Sequence, residues 1–319
     1  MNSNPIIIVA GEPYSIFSEI FFKTLIKYKL KKKIVLIGSK KLFESHMKYF
    51  GYNFKFKSIT KQFNPKYLSK DKINIIDIKF HFDKIFDKIT INSKSYIKKS
   101  FETALYVLKT QTVSGIINGP ISKKKFLNKK YQGVTEYFAK KTKTNNFAMI
   151  IYNKLLSVSP LTTHLPLKKV SKKITKTYII NKIKVIDEFY LKNFNKKPKI
   201  AITGLNPHCE SNHPFNEEIK IINPSVKYLK KIGINILGPF SADTIFLKKN
   251  RKKFDIIVGM YHDQVLTPIK TILEYKAINI TAGLPFIRIS PDHGPNEKMI
   301  GKNLSNPDSL IEAVKFLDK

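Results

Sequence analysis

Three histidines stand just past short β-branched runs. They lie in Thr162-Thr163-His164-Leu165-Pro166, Gly204-Leu205-Asn206-Pro207-His208 and Tyr261-His262-Asp263-Gln264. One such histidine by itself is a capping or hydrogen-bonding residue. Three imidazoles gathered on one edge suit a divalent cation with an open coordination position. Pro166 and Pro207 stiffen two of the loops, which favours a ligand that must be held still. The remaining candidates, His46, His81 and His213, lack comparable neighbours and read as structural, and Cys209 beside His208 reads as a bystander.

A second group handles anions. Lys270, Asn279 and Arg288 follow His262 at similar intervals. Arg288 sits in the apolar run Leu284-Pro285-Phe286-Ile287, and a buried guanidinium needs a partner. A phosphate or carboxylate held by its planar fork is one solution. A structural salt bridge to Asp243 or Asp292 is the other. Asp292-His293-Gly294 also reads as a turn closed by its aspartate side chain.

The elements that must position these residues alternate along the chain. Strands are expected at Ile6–Ala10, Ile34–Gly38, Ile73–Ile78, Val113–Ile117, Phe147–Tyr152, Leu155–Ser159, Lys199–Thr203, Ile234–Leu237, Asp255–Met260 and Phe286–Ile289. Helices are expected over Ser15–Tyr28, Ser93–Thr110, Leu167–Asn193, Asn216–Ile232 and Asp308–Leu317. The longest carries Val170, Ile174, Tyr178, Ile179, Ile183, Ile186 and Tyr190 on one stripe. Lys57–Lys72 reads as a loop. Strand–helix alternation argues an α/β fold with a mostly parallel sheet. Gly11-Glu12-Pro13 and Asn118-Gly119-Pro120 join the three histidine clusters as polar turns at strand ends. Ligands of open α/β sheets bind outside the carboxyl ends of the strands, so the five clusters are expected to line one crevice.

Composition narrows the function classes. The chain has 319 residues, 42% of them apolar, enough for two domains or one large one. One cysteine excludes an intrachain disulfide framework and a Cys-rich zinc cluster. Ile6–Ala10 is shorter than the roughly 7–15 apolar residues of a signal-peptide core, and no run approaches the ~18 of a membrane span. The expectation is a cytoplasmic protein without a membrane partner. A formal charge of +35 points on its face to nucleic acid. Arginine, the better fork for phosphate and guanine, occurs only at Arg251 and Arg288, while short clusters such as Lys31–Lys33 and Lys123–Lys125 suit solvated helix ends. The charge therefore reads as surface drift toward lysine, with no nucleic-acid partner expected. Neither G-x-G-x-x-G after a strand, nor a P-loop, nor a G-x-S-x-G elbow occurs.

Six ordered motifs carry a resemblance. They are Gly133-Val134-Thr135-Glu136-Tyr137, Thr163-His164-Leu165-Pro166-Leu167, Gly204-Leu205-Asn206-Pro207-His208, Gly238-Pro239-Phe240-Ser241-Ala242-Asp243-Thr244, Tyr261-His262-Asp263-Gln264 and Gly283-Leu284-Pro285-Phe286-Ile287-Arg288. Together they resemble the 4-hydroxythreonine-4-phosphate dehydrogenase family of pyridoxal phosphate biosynthesis. The resemblance implies a two-domain fold like isocitrate and isopropylmalate dehydrogenases, mostly parallel, with an interdomain cleft. It further implies a homodimer whose active site lies at the subunit interface. Such a fold binds a nicotinamide without the Rossmann glycines. The expected division is 1–125 plus 300–319 for one domain and 126–299 for the other.

Carried over position by position, the resemblance makes His164, His208 and His262 ligands of a divalent metal (Zn, Mg or Co) and Thr135, Lys270, Asn279 and Arg288 substrate-binding. It implies NAD or NADP oxidising the secondary alcohol of a small phosphorylated substrate, then loss of CO2 to give 3-amino-2-oxopropyl phosphate. Lys270, Asp243 or Asp263 relays the hydroxyl proton; the residues do not choose among them. No cofactor-binding residue is assigned.

Four places depart from the family pattern. Val134 stands for a substrate-contacting histidine, and the turn Gly11–Glu19 lacks two glycines and has Glu12 for aspartate. Cys209-Glu210-Ser211-Asn212 replaces a glycine-rich stretch, and Pro295-Asn296 replaces a small pair. Alternative readings are a sibling dehydrogenase for an erythronate or threonate phosphate, a tri-histidine metallohydrolase, and a basic nucleic-acid-binding protein.

Overall fold

The computed structural model describes residues 4–122, 126, 131, 133–210, 215–291 and 293–319. Lys123–Lys125, Ser211, Asn212, His213 and Asp292, all singled out in the sequence, lie outside the described residues. The strands, in chain order, are β1 Ile6–Val9, β2 Ile34–Gly38, β3 Phe56–Ser58, β4 Ile73–Asp77, β5 Gly115–Asn118, β6 Ala148–Tyr152, β7 Ser157–Thr162, β8 Ile200–Thr203, β9 Ile236–Phe240, β10 Ile256–Tyr261, β11 Ile278–Ala282 and β12 Arg288–Pro291. The architecture is α/β and mostly parallel. No helix among the described residues is long and apolar enough to cross a membrane.

The chain forms two compact units, Met1–Tyr137 with Phe286–Lys319, and Phe138–Pro285. In the first, the strand order is β3-β4-β2-β1-β5-β12, every pair parallel. Parallel strands are covered on both faces and need unbroken apolar runs. Ile6-Ile7-Ile8-Val9 supplies one, and all four side chains are buried. Helices Phe17–Lys27, Ser93–Thr110 and Asp308–Leu317 occupy the expected stretches. The last is anchored by Asp318, which accepts from the backbone N–H groups of Lys31 and Lys32 and from the Tyr28 hydroxyl.

The second unit has the order β11-β6-β7-β10-β8-β9. Here β6 runs antiparallel to both neighbours, and β7, β10, β8 and β9 are parallel. Helix His262–Leu273 begins directly at the end of β10 and lays Val265, Ile269 and Leu273 onto a core with Val158, Ala201 and Ile257. Each of those helix side chains contributes about 1.5–3 kcal/mol by leaving water. That burial fixes which way the first turn, with His262, Asp263 and Gln264, faces.

Several elements differ from expectation. Leu167–Asn193 is not one helix: a turn at Leu167–Lys169 and a short helix Val170–Lys173 precede helix Lys176–Phe194. The break comes at Thr175, whose side chain accepts from the Tyr178 N–H and starts the second helix as an N-cap. The apolar stripe survives the break because Val170, Ile174, Ile179, Ile183 and Ile186 are all buried. Asn216–Ile232 divides likewise, into a wide π-type turn at Glu218–Ile222 and helix Asn223–Lys231 with Pro224 in its first turn. The stretch read as a loop opens with β3, paired parallel to β4.

Candidate active site

In the second unit three neighbouring strands end together. The register sets Thr162 of β7 opposite Tyr261 of β10, and Ile202 of β8 opposite Val258 of β10. His164 and His262 therefore follow adjacent strand ends, and their ring centroids are 6.0 Å apart. Two imidazoles on one cation, each with a metal–nitrogen bond of roughly 2.1 Å, have centroids about 5–6 Å apart, so this spacing fits a shared ion. His262 Nδ1 lies 2.6 Å from Asp263 Oδ1, an arrangement in which Nδ1–H donates to the carboxylate and Nε2 keeps its lone pair for a ligand.

His208 leaves β8 by a different route. Its own φ of 54° and the φ of 62° at Cys209 put two consecutive non-glycine residues in the left-handed region. That conformation costs of order 1 kcal/mol per residue and persists only where the surroundings enforce it. The His208 side chain is 76% exposed, with Nδ1 at 3.8 Å from Asp243 Oδ2. Asp243 itself accepts from the Ser241 hydroxyl at 2.5 Å, and that hydrogen bond, helped by His208, holds its carboxyl below the usual range. Cys209 packs against Gly204, and burial pushes its thiol up. Among the described residues no three His, Cys, Asp or Glu side chains of one chain close around a common point. The donor chemistry fits a divalent cation, and one chain brings two imidazoles to the required spacing.

Lys270 and Asn279 belong to the same unit. Lys270 is half-buried on helix His262–Leu273, and desolvation alone lowers its ammonium pKa. Asn279 lies on β11 opposite Ile151, and its buried Oδ1 has no hydrogen-bond partner among the described residues. A buried acceptor without a protein partner calls for a water, an ion or a ligand to satisfy it.

The first unit holds the other two substrate candidates in direct contact. Arg288, 2% exposed, donates from Nε to Asn118 Oδ1 at 2.7 Å and from Nη1 to Thr135 Oγ1 at 3.0 Å. Desolvation lowers its pKa to about 10, opposed by the nearby Glu136. Both of these partners are neutral groups, one at the end of β5 and one at the start of helix Val134–Lys141. The five polar turns fall into two sets. Those after β1 and β5 meet in the first unit, where Glu12 N–H donates to Pro120 O, and those after β7, β8 and β10 belong to the second. Asn118 was visible only as part of a turn; its link to Arg288, 170 positions away, leaves no trace in local sequence.

Comparison with known proteins matches the chain to one family. The family profile described as "Pyridoxal phosphate biosynthetic protein PdxA" matches residues 30–317. The chain is 41% identical over 316 residues to the 4-hydroxythreonine-4-phosphate dehydrogenase of Sulfurihydrogenibium sp. (strain YO3AOP1), covering 97% of this chain and 96% of that one. A D-threonate 4-phosphate dehydrogenase from Pectobacterium atrosepticum is 37% identical over 187 residues, 58% of this chain and 57% of the other. Among solved structures, the 4-hydroxythreonine-4-phosphate dehydrogenase of Klebsiella pneumoniae superposes with a TM-score of 0.85 at 28% identity, covering 99% of this chain and 98% of that one. The histidine-bearing strand ends, the buried arginine and full-length relatedness converge on one conclusion: the chain belongs to the PdxA family of 4-hydroxythreonine-4-phosphate dehydrogenases.

Proposed function

We propose that the chain oxidises 4-phosphooxy-L-threonine (4-hydroxythreonine 4-phosphate) with NAD or NADP and releases CO2 to form 3-amino-2-oxopropyl phosphate, a step toward pyridoxine 5′-phosphate. What carries this reading is the placement of His164, His262 and His208 after β7, β10 and β8, in a chain related over its full length to dehydrogenases of this name. When bound, a divalent cation supplies Lewis acidity and an oxidised nicotinamide accepts hydride. His164, His208 and His262 would hold the cation. The incomplete grouping among the described residues of one chain supports a homodimer in which each site takes histidines from both subunits.

The chain's own residues then divide the work. Arg288, fixed by Asn118 and Thr135, presents a rigid guanidinium to the phosphate or carboxylate. Asn279 Oδ1 accepts from the substrate's amino or hydroxyl group. Asp263 Oδ1 accepts from His262 Nδ1, and the Ser241 hydroxyl donates to Asp243 beside His208. Lys270 is the proton-relay candidate whose ammonium pKa is lowered by desolvation, so its Nζ is the group assigned to take the hydroxyl proton and to return it to the carbon that loses CO2.

A second reading, oxidation of D-threonate 4-phosphate, is favoured by the relative of that name. Reduced-nicotinamide absorbance with purified protein, several divalent ions and both substrates separates the two. Turnover with 4-phosphooxy-L-threonine is expected. Turnover with D-threonate 4-phosphate alone transfers the assignment to the sibling activity, and turnover with neither rejects both.

A further inference from the structure

Two polar side chains outside the candidate ligand set grip the backbone that carries the histidines. Gln264 sits in the first turn of the helix that starts at His262. Its Oε1 accepts from the Met260 N–H at 2.7 Å and from the Thr203 hydroxyl at 2.8 Å. Its Nε2 donates to Gly204 O at 2.8 Å. One amide therefore ties the end of β10 to the end of β8. Glu218 opens the π-type turn and is 1% exposed. Its Oε1 accepts from the N–H groups of Leu205 and Asn206 at 2.7 and 2.8 Å, and its Oε2 accepts from Asn206 Nδ2 at 2.9 Å. Charge-assisted bonds to two consecutive amides hold the loop just ahead of His208.

Two glycines make room for these grips. A methyl group on Gly204 would stand 2.9 Å from Glu218 Oε1 and 2.8 Å from Cys209 Sγ. A methyl group on Gly259 would stand 3.0 Å from Gln264 Oε1 and collide with Val265 Cγ1. Neither glycine has a positive φ, so close approach and not backbone freedom requires them. Glycine at both positions leaves space that the two gripping side chains fill.

We propose that Gln264 and Glu218 are positioning residues that hold the His208 loop and the His262 turn in place and so tune cation affinity. This rests on the ligand reading of His208 given above. Groups that orient metal ligands change affinity by roughly 10–100-fold when removed. Gln264→Met keeps side-chain volume and deletes all three hydrogen bonds, and Glu218→Gln turns one acceptor into a donor facing Asn206.

The test uses full-length protein stripped with chelator, titrated with cobalt(II), together with hydrogen exchange over residues 203–210. Both variants are expected to bind cobalt about 10–100-fold more weakly while melting as cooperatively as the parent. Exchange at Leu205 and Asn206 should accelerate in Glu218→Gln. Thr203→Val, which removes one hydroxyl, should shift affinity in the same direction by less, and it stands in should Gln264→Met not fold. His208→Ala is the control. If it loses cobalt affinity while Gln264→Met and Glu218→Gln (or Thr203→Val) bind as the parent does, the positioning role is overturned. If His208→Ala itself binds cobalt normally, the ligand reading fails and the positioning role with it.

Discussion

His46 and the strand-end histidines show what surroundings make of one residue type. His46, in helix Lys40–Tyr49 of the first unit, is 1% exposed. Its Nε2 donates to Ile85 O at 2.7 Å, and its ring stacks on Phe86 with centroids 4.7 Å apart. Desolvation drives its pKa down to about 4, so it remains a neutral core residue at physiological pH. His208 and His262, 76% and 37% exposed, stand at strand ends with a carboxylate beside each. Burial commits an imidazole to packing; presentation at a strand end beside an acid leaves it available to a ligand.

The contrast breaks most severely at His208. His208→Ala should lower metal-dependent turnover by on the order of a thousandfold while leaving the melting temperature unchanged. Full activity in that variant would place His208 with His46 among the structural histidines.

His46 should show the reverse. The unfolded chain binds a proton near pH 6.5, the folded chain only near 4, so stability is complete above about 6.5 and is lost as pH falls toward 4. The loss from this group is roughly 3 kcal/mol. Urea unfolding of the parent and His46→Gln at pH 7 and 4.5 should reveal that component in the parent alone. Equal pH dependence would mean that the ring is not desolvated.

Arg288 lies between these extremes, being buried like His46 yet placed in the proposed binding machinery. Arg288→Lys should raise KM for the anionic substrate about tenfold or more, because an ammonium offers no fork. An unchanged KM would make Arg288 a packing residue. The smallest effect belongs to Thr175→Ala, which should cost about 1 kcal/mol through loss of a helix cap without altering kinetics. Changed kinetics there would show that the helix break serves the site.

Much of the fold was legible because parallel strands demand continuous apolar runs, and Ile6–Val9 or Ile256–Tyr261 can hardly be anything else. β11 escaped because Asn279 interrupts its run, and helix His262–Leu273 because Pro268 sits within it. The histidines were legible as polar residues one to five positions past strand ends. What holds them was not: Glu218 lies 12 and 13 positions from the amides it binds, and Gln264 lies 60 and 61 from its β8 partners. Arg288 announced its burial through its apolar flanks. Its neutral partners Asn118 and Thr135 depend on tertiary pairing that no local pattern encodes.

The central claim is that His164, His208 and His262 share one divalent cation. X-ray absorption fine structure of the cobalt-loaded protein counts the imidazoles on that ion directly. Three are predicted, falling to two in His208→Ala; a site with one imidazole or none would contradict the account.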